Sequence, residues 1–356
     1  MPVPTIEWKD NKVKIIDQHL LPFELEFIYC KDIRDIWKVI KKLNIRGAPA
    51  IGIAGAFGMY LGVRNSKAKA FKQFYNEILK SEKYLASSRP TARNLFWALE
   101  RMRESARHNK EKGVTEIKKS LLKEAIDILE EDKAICRVIG KLGSGLIKSG
   151  DNILTHCNAG GLATADYGTA LAVLFHAKKD GKKIHVFVDE TRPVLQGARL
   201  TAWELMHEGI DATLICDNMA ASLMAKGKID KIIVGADRIA KNGDIANKIG
   251  TYNLAVLAKA HRLPFYVAAP LSTFDFSISS GKDIVIEERD ANEVRTVMGK
   301  RIAPKNIKVY NPAFDVTPNR LVTAIITEKG IFRKPYKKIL GSLKTKNQRP
   351  KIKNTY

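Results

Sequence analysis

After Gly150 the chain settles into one pattern, in which five short apolar runs alternate with four amphipathic stretches. The runs at 152–155, 183–188, 212–215, 231–234 and 264–268 have the length and apolar content of strands buried on both faces. The stretches at 164–176, 194–208, 219–226 and 247–261 have helical spacing of apolar residues. Strand and helix in strict alternation leave few folds open. Successive strands are then parallel, the crossovers are right-handed, and helices cover both sheet faces. Residues 145–340 are therefore expected to form a Rossmann-like α/β domain.

The first half reads differently. Residues 5–30 hold short β-like runs around Asp10-Asn11 and Leu21-Pro22, which predicts a small antiparallel element. Apolar residues then recur at helical spacing over 33–43, 50–63, 67–81, 91–107 and 115–142. Residues 1–144 are thus expected to be a mainly helical domain, and 356 residues suit two domains of this size.

With 45% hydrophobic and 28% charged residues, the composition is that of a globular protein. No apolar run approaches the roughly 20 residues that span a bilayer, and the N-terminal residues lack the basic and apolar regions of a signal peptide. The net charge of +23 would suit nucleic acid, an acidic surface or an anionic substrate. Nine Lys or Arg residues and no acidic one fall between Ile331 and Tyr356, so much of the excess sits in one terminal segment. Residues 341–356 read as a basic, solvated tail, and nucleic acid is not the expected partner. The four cysteines, Cys30, Cys136, Cys157 and Cys216, form no CxxC or Cys/His metal spacing. A cytoplasmic setting and no metal are expected.

In parallel sheets ligands gather beyond the carboxyl ends of the strands. The first run delivers His156 and Cys157, followed by Gly160-Gly161 and an expected helix. Cys157 is open to two readings: a small buried hydrophobe, or a thiol placed for chemistry. The second run delivers Asp189, Arg192 and Gln196, the third Cys216-Asp217-Asn218, and the fourth Asp237-Arg238. Asp237 is either a turn residue or a partly desolvated acid, able to give up a proton at neutral pH. Asn247-Lys248, expected at a helix start, are cap residues or ligands for hydroxyl and phosphate oxygens. His156 is equally structural or functional at this stage.

Two arginine segments stand out in the helical half. Arg46-Gly47-Ala48-Pro49 and Ser88-Arg89-Pro90-Thr91 each place an arginine just before a helix, with proline near its first turn. Free N–H groups at a helix start and a guanidinium beside them make an anion site. Two such segments point to phosphate.

Taken together these segments resemble the methylthioribose-1-phosphate isomerase family, relatives of the regulatory subunits of translation initiation factor 2B. The likeness runs from Ile6 to about Arg333. It includes Arg46-Gly-Ala-Pro-Ala-Ile-Gly52, Arg89-Pro-Thr-Ala92, Thr155-His-Cys-Asn-Ala-Gly160, Glu190-Thr-Arg-Pro193, Gly235-Ala-Asp-Arg238, Asn247-Lys248 and Asn311-Pro-Ala-Phe-Asp-Val-Thr-Pro318. The resemblance implies an aldose–ketose isomerase converting 5-methylthioribose 1-phosphate to 5-methylthioribulose 1-phosphate. It implies catalytic Cys157 and Asp237, and substrate contacts from Arg46, Gly47, Ala48, Arg89, Gln196, Asn247 and Lys248. A homodimer without metal or organic cofactor is implied as well. Arg93 departs from the apolar residue expected after Arg89-Pro-Thr-Ala92. The rival expectations are a ribose-1,5-bisphosphate isomerase and a non-catalytic regulatory subunit.

Overall fold

The computed structural model describes residues 3–336; the basic tail expected at 341–356 lies outside the described residues. The chain opens with an antiparallel sheet of β1 (Ile6–Lys9), β2 (Lys12–Ile16) and β3 (Phe27–Cys30). Asp10 and Asn11, both at positive φ, turn the first hairpin as their side chains permit. Five helices follow: α1 (Ile33–Lys41), α2 (Ala48–Val63), α3 (Phe71–Ala86), α4 (Arg93–His108) and α5 (Val114–Ser144). Asp32 caps α1 by accepting from the Arg34 and Asp35 N–H groups.

Helix α2 is buried almost all round, which its Ala, Gly and Ile content allows. A Cβ on Gly52 would come within 2.9 Å of the Asn94 carbonyl oxygen, so glycine lets α2 and α4 approach closely. Helix α5 serves two cores. Its Ile117, Leu121 and Ile128 pack with the helical region, whereas Cys136 and Ile139 join the core under the large sheet. There Gly140 and Gly143 admit α6 (Ala170–Lys179), with the Ala172 carbonyl and the Val173 side chain against them.

The large sheet is built from β4 (Asn152–Thr155), β5 (His185–Asp189), β6 (Asp211–Ile215), β7 (Lys231–Val234), β10 (Phe265–Ala268), β15 (Ala324–Thr327) and β16 (Gly330–Phe332). Their order is β16-β15-β10-β7-β4-β5-β6, parallel except for the β15–β16 edge pair. Side chains alternate between the two faces. Ile153, Ile233 and Tyr266 meet α5 and α6, whereas Leu154, Ile232 and Phe265 meet α8 (Ala220–Ala225) and α9 (Thr251–Ala260). From β4 the chain adds β5 and β6 on one side, then returns to add β7 on the other. The order therefore reverses between neighbours β4 and β7, and this is where such sheets open a crevice.

A smaller sheet crosses the carboxyl end of the large one: β11 (Phe274–Asp275), β8 (Arg238–Ala240), β9 (Ile245–Lys248) and β14 (Phe314–Thr317). The short helix α10 (Asn292–Arg295) and the hairpin β12 (Thr296–Val297) and β13 (Lys300–Arg301) lie in the connection before β14. Among the described residues no helix is long and apolar enough to cross a membrane.

The fold corrects several local expectations. Asn247 and Lys248 do not open a helix: they lie in β9, opposite Asp315 and Phe314 of β14, and α9 starts only at Thr251. The helix expected over 164–176 after Cys157 starts later than its apolar spacing suggests. A three-residue turn at Gly161–Ala163 intervenes, and α6 begins at Ala170. The stretch expected as one helix over 194–208 starts as a wider π-turn at Gly197–Thr201 before α7 (Ala202–His207). The Asp189 carbonyl lies where a Cβ on Gly197 would fall, so a strand end presses on this turn.

Candidate active site

Because β4 and β7 are neighbours, the residues just beyond them share one crevice. Leu154 pairs with Ile232, so Cys157 and Asp237 follow the carboxyl ends of two adjacent strands. Both line a single cavity, together with Arg46, Gly47, Ala48, Arg89, Gln196, Asn247 and Lys248. The nine residues that the resemblance implies all line it, whereas Asp189, Arg192, Cys216, Asp217 and Arg238, also read as strand-end residues, do not. Arg289, Asn158, Pro270 and Phe314 complete much of the wall.

The backbone at Cys157 is held in a left-handed conformation, φ +62°, which few non-glycine residues adopt. Two threonines hold it there: the Cys157 N–H donates to Thr191 Oγ1 at 2.8 Å, and Thr201 Oγ1 donates to the Cys157 carbonyl at 2.6 Å. Strain held by neighbours at a cavity wall is common where a side chain must be aimed. Cys157 is half-buried, open to the cavity.

His156 is structural. Its Nδ1 lies 2.9 Å from Asp189 Oδ2 and its Nε2 lies 2.8 Å from the Ile249 carbonyl oxygen. Burial opposes charge on this ring, but the hydrogen bond and charge of Asp189, together with Asp217 and the Ile249 carbonyl, outweigh it and raise the pKa. Facing only acceptors, the ring is driven toward imidazolium, and it ties the ends of β4 and β5 to the loop after β9. His156, Asp189 and Asp217 have ligand atoms within 4.8 Å of one another. These atoms are mostly committed, since the Asp217 oxygens accept from the Thr191 and Arg192 N–H groups at 2.7 Å. Asp217 and Arg192 thereby shape a loop; the Arg192 guanidinium reaches the Pro193 and Val294 carbonyls.

The Asp237 N–H donates to the Ala246 carbonyl at 3.0 Å, fixing the residue where β7 passes into the smaller sheet. Desolvation in the recess raises its pKa, while Lys248, Arg89 and Arg46 pull the other way. Lys248 shows the converse. Burial lowers its pKa, and Cys157 and Asp237 oppose that shift. Its Nζ also lies 5.1 Å from the Phe314 ring centroid. Asn247 Nδ2 donates to Thr251 Oγ1 at 3.0 Å, which orients the amide.

On the opposite wall Gly47 precedes α2 with φ +92°, and a Cβ there would meet Ala163 Cα at 2.4 Å. Only glycine fits, and its turn brings the free N–H groups of α2 to the cavity. Arg46 Nη2 donates to Asn158 Oδ1 at 2.6 Å and to the Asn158 carbonyl at 2.9 Å, while its Nε has no partner. Arg89 Nη2 donates to Glu287 Oε2 at 2.8 Å, and its Nε is likewise free. Four lining residues are Lys or Arg (Arg46, Arg89, Lys248 and Arg289), with His156 also in the wall, against the single carboxylate of Asp237. Such a recess attracts an anion and places it against a helix start.

Sequence reasoning missed Arg289 and Glu287, which stand on a connection without regular periodicity. Their cue was the charge pattern Glu287-Glu288-Arg289, ambiguous by itself. It also missed Glu204, whose cue was a carboxylate in the apolar stripe Gly197-Leu200-Thr201-Glu204-Leu205.

Comparison with known proteins gives the family. The family model for the initiation factor 2 subunit family matches residues 44–334. A 5-deoxyribose 1-phosphate isomerase of Moorella thermoacetica is 55% identical over 96% of this chain and 97% of its own. A methylthioribose-1-phosphate isomerase of Geotalea uraniireducens is 56% identical over 95% and 98%. Among solved structures, 5-methylthioribose 1-phosphate isomerase from Pyrococcus horikoshii OT3 superposes with a TM-score of 0.89 at 47% identity, covering 98% of this chain and 97% of that one. A structure described as translation initiation factor eIF-2B, subunit delta, from A. fulgidus gives 0.83 at 48% identity, covering 95% and 99%. The chain belongs to the initiation factor 2 subunit family and, within it, to the methylthioribose-1-phosphate isomerases.

Proposed function

We propose that this chain is an aldose–ketose isomerase that converts 5-methylthioribose 1-phosphate to 5-methylthioribulose 1-phosphate. The observation that carries the reading is the meeting of Cys157 and Asp237 at the β4–β7 crevice, within a wall of four cations. Phosphate on the anomeric carbon blocks spontaneous ring opening, so the enzyme has to supply an acid to the ring oxygen.

Asp237 suits that task, because desolvation favours its protonated form. Lys248, Arg89 and Arg46 oppose this. An arriving phosphate neutralises them and lifts the carboxyl further toward the acid form. Asp237 then protonates the ring oxygen as the C1–O bond breaks. Cys157 takes the proton from C2, giving an enol, and returns it to C1. The C2 hydroxyl gives its proton back to Asp237 as the ketone forms. C2 is oxidised and C1 reduced within one molecule, so no outside redox partner is needed. Arg46, Arg89 and the start of α2 hold the phosphate; Gln196 and Asn247 take hydroxyl oxygens, and Lys248 holds charge between the two reacting groups.

One further reading has a specific support: the 55% identical relative named for 5-deoxyribose 1-phosphate, which differs from methylthioribose 1-phosphate only at C5. Offering the protein methylthioribose 1-phosphate, 5-deoxyribose 1-phosphate and ribose 1,5-bisphosphate, with the ketose read by NMR, separates these. The highest kcat/KM is expected for the methylthio sugar, and no ketose from any of the three would leave a regulatory role. The setting is proposed as cytoplasmic. A homodimer is proposed too, since edge strand β6 exposes Leu214 and the turn after it exposes Met219; light scattering on the purified protein tests this.

A further inference from the structure

We propose that Glu204 is a positioning residue of this site, setting the Arg46 guanidinium in place through the side-chain amide of Asn158. The inference rests on the reading of Arg46 as a phosphate ligand and adds the residue that aims it.

Glu204 stands on α7 with no exposed surface. Its carboxylate accepts from Asn158 Nδ2 at 2.7 Å and from the Gly161 N–H at 2.6 Å. A carboxylate can only accept, so it decides which way the Asn158 amide faces. With Nδ2 turned to Glu204 and to Thr201 Oγ1, Oδ1 faces Arg46, whose Nη2 donates to it at 2.6 Å. The Asn158 carbonyl accepts from the same nitrogen at 2.9 Å. Arg46 is thus gripped at one nitrogen, while its Nε is left without a partner beside the cavity.

The surroundings are shaped for the carboxylate. A Cβ on Gly160 would lie 2.4 Å from Glu204 Oε1, so the chain leaves room for the acid. Burial pushes the Glu204 carboxyl up to about 7, which shows what its charge costs there. An apolar residue of similar volume would fill the space without that penalty. The acid therefore fits a role in orientation better than one in packing.

The test is a double-mutant cycle between Glu204→Gln and Arg46→Ala, reading inorganic phosphate affinity by calorimetry together with KM and kcat for the sugar phosphate. Glu204→Gln puts a donor where only acceptors stood. Phosphate affinity is expected to fall roughly tenfold and KM to rise as much, with kcat within about threefold, the size of one charge-assisted hydrogen bond. In the Arg46→Ala background the same change should add less than about twofold. Asn158→Ala, which leaves the Gly161 contact in place, should reproduce the tenfold loss. Unchanged phosphate affinity in Glu204→Gln, or an equal loss with and without Arg46, would overturn the proposal. Failure of the functional reading looks different: the unaltered protein would bind phosphate and make no ketose.

Discussion

Arg89 Nη2 and Glu287 Oε2 lie 2.8 Å apart although 198 positions separate them in the chain. A loop of the second half thus fixes an arginine of the helical half at the cavity wall. The same carboxylate accepts from Thr91 Oγ1 at 3.2 Å and from Arg289 Nη1 at 3.1 Å. Burial opposes the charge of Glu287, but the two guanidiniums outweigh it and hold its carboxyl below the ordinary glutamate range.

If Glu287 aims Arg89, Glu287→Gln should weaken substrate binding more than chemistry. Two ion pairs lose the charge on their shared acceptor, so KM is expected to rise roughly tenfold with kcat changed by less than about threefold. Steady-state kinetics at fixed pH checks this; a fall in kcat at constant KM would place Glu287 in the chemical step instead.

Gly47 has no substitute. At φ +92° a Cβ would meet Ala163 Cα at 2.4 Å, and both atoms belong to backbone-defining positions. Gly47→Ala should cost about 2–4 kcal/mol of stability and remove most of the phosphate affinity. Thermal melting with and without phosphate measures both, and an unaltered melting temperature would contradict the close approach described here.

Asp132 gives a prediction for pH. Burial pushes its carboxyl up to about 7, while it accepts from the Ala165 N–H at 2.7 Å. Its folded pKa is above the unfolded one. The contribution is therefore fully present below about pH 4 and is lost as pH rises through about 7. Glu204, also raised to about 7, acts in the same direction. Asp132→Asn keeps an acceptor without the charge, so melting temperatures of this variant should fall less than those of the parent between pH 5 and about 8. Parallel curves would rule Asp132 out as a source of the slope.

How much of this was legible in the sequence depended on whether the signal was local. Alternating apolar runs revealed the strands, because a strand buried on both faces reads as apolar whatever it pairs with. Cys157 and Asp237, which line the cavity, were legible as strand ends for the same reason. Their adjacency was not, since it follows from the reversal of strand order between β4 and β7. Asn247 and Lys248 were placed on a helix because β9 is only four residues long and leads within three residues to a real one. Pairing with β14, far along the chain, decided it.

The carboxylates around the arginines were illegible for a different reason. Glu204 and Glu287 belong to types that are usually solvated, and nothing local distinguishes them from surface residues. Their burial depends on partners 46 and 198 positions away. Gly47 and Gly160, by contrast, left a trace: each stands where a side chain would collide with another segment, and each lies in a segment the sequence singles out, one before a helix and one after a strand end.

The central claim is that Cys157 and Asp237 together isomerise a 1-phosphorylated sugar. Single-turnover conversion of methylthioribose 1-phosphate by the parent, Cys157→Ala and Asp237→Asn, with ketose quantified and binding measured alongside, tests it directly. The account predicts ketose from the parent, a loss of about 10²–10⁴ in rate for each variant, and binding within about threefold in both. A parent that forms no ketose, or either variant turning over within tenfold of it, would contradict the account.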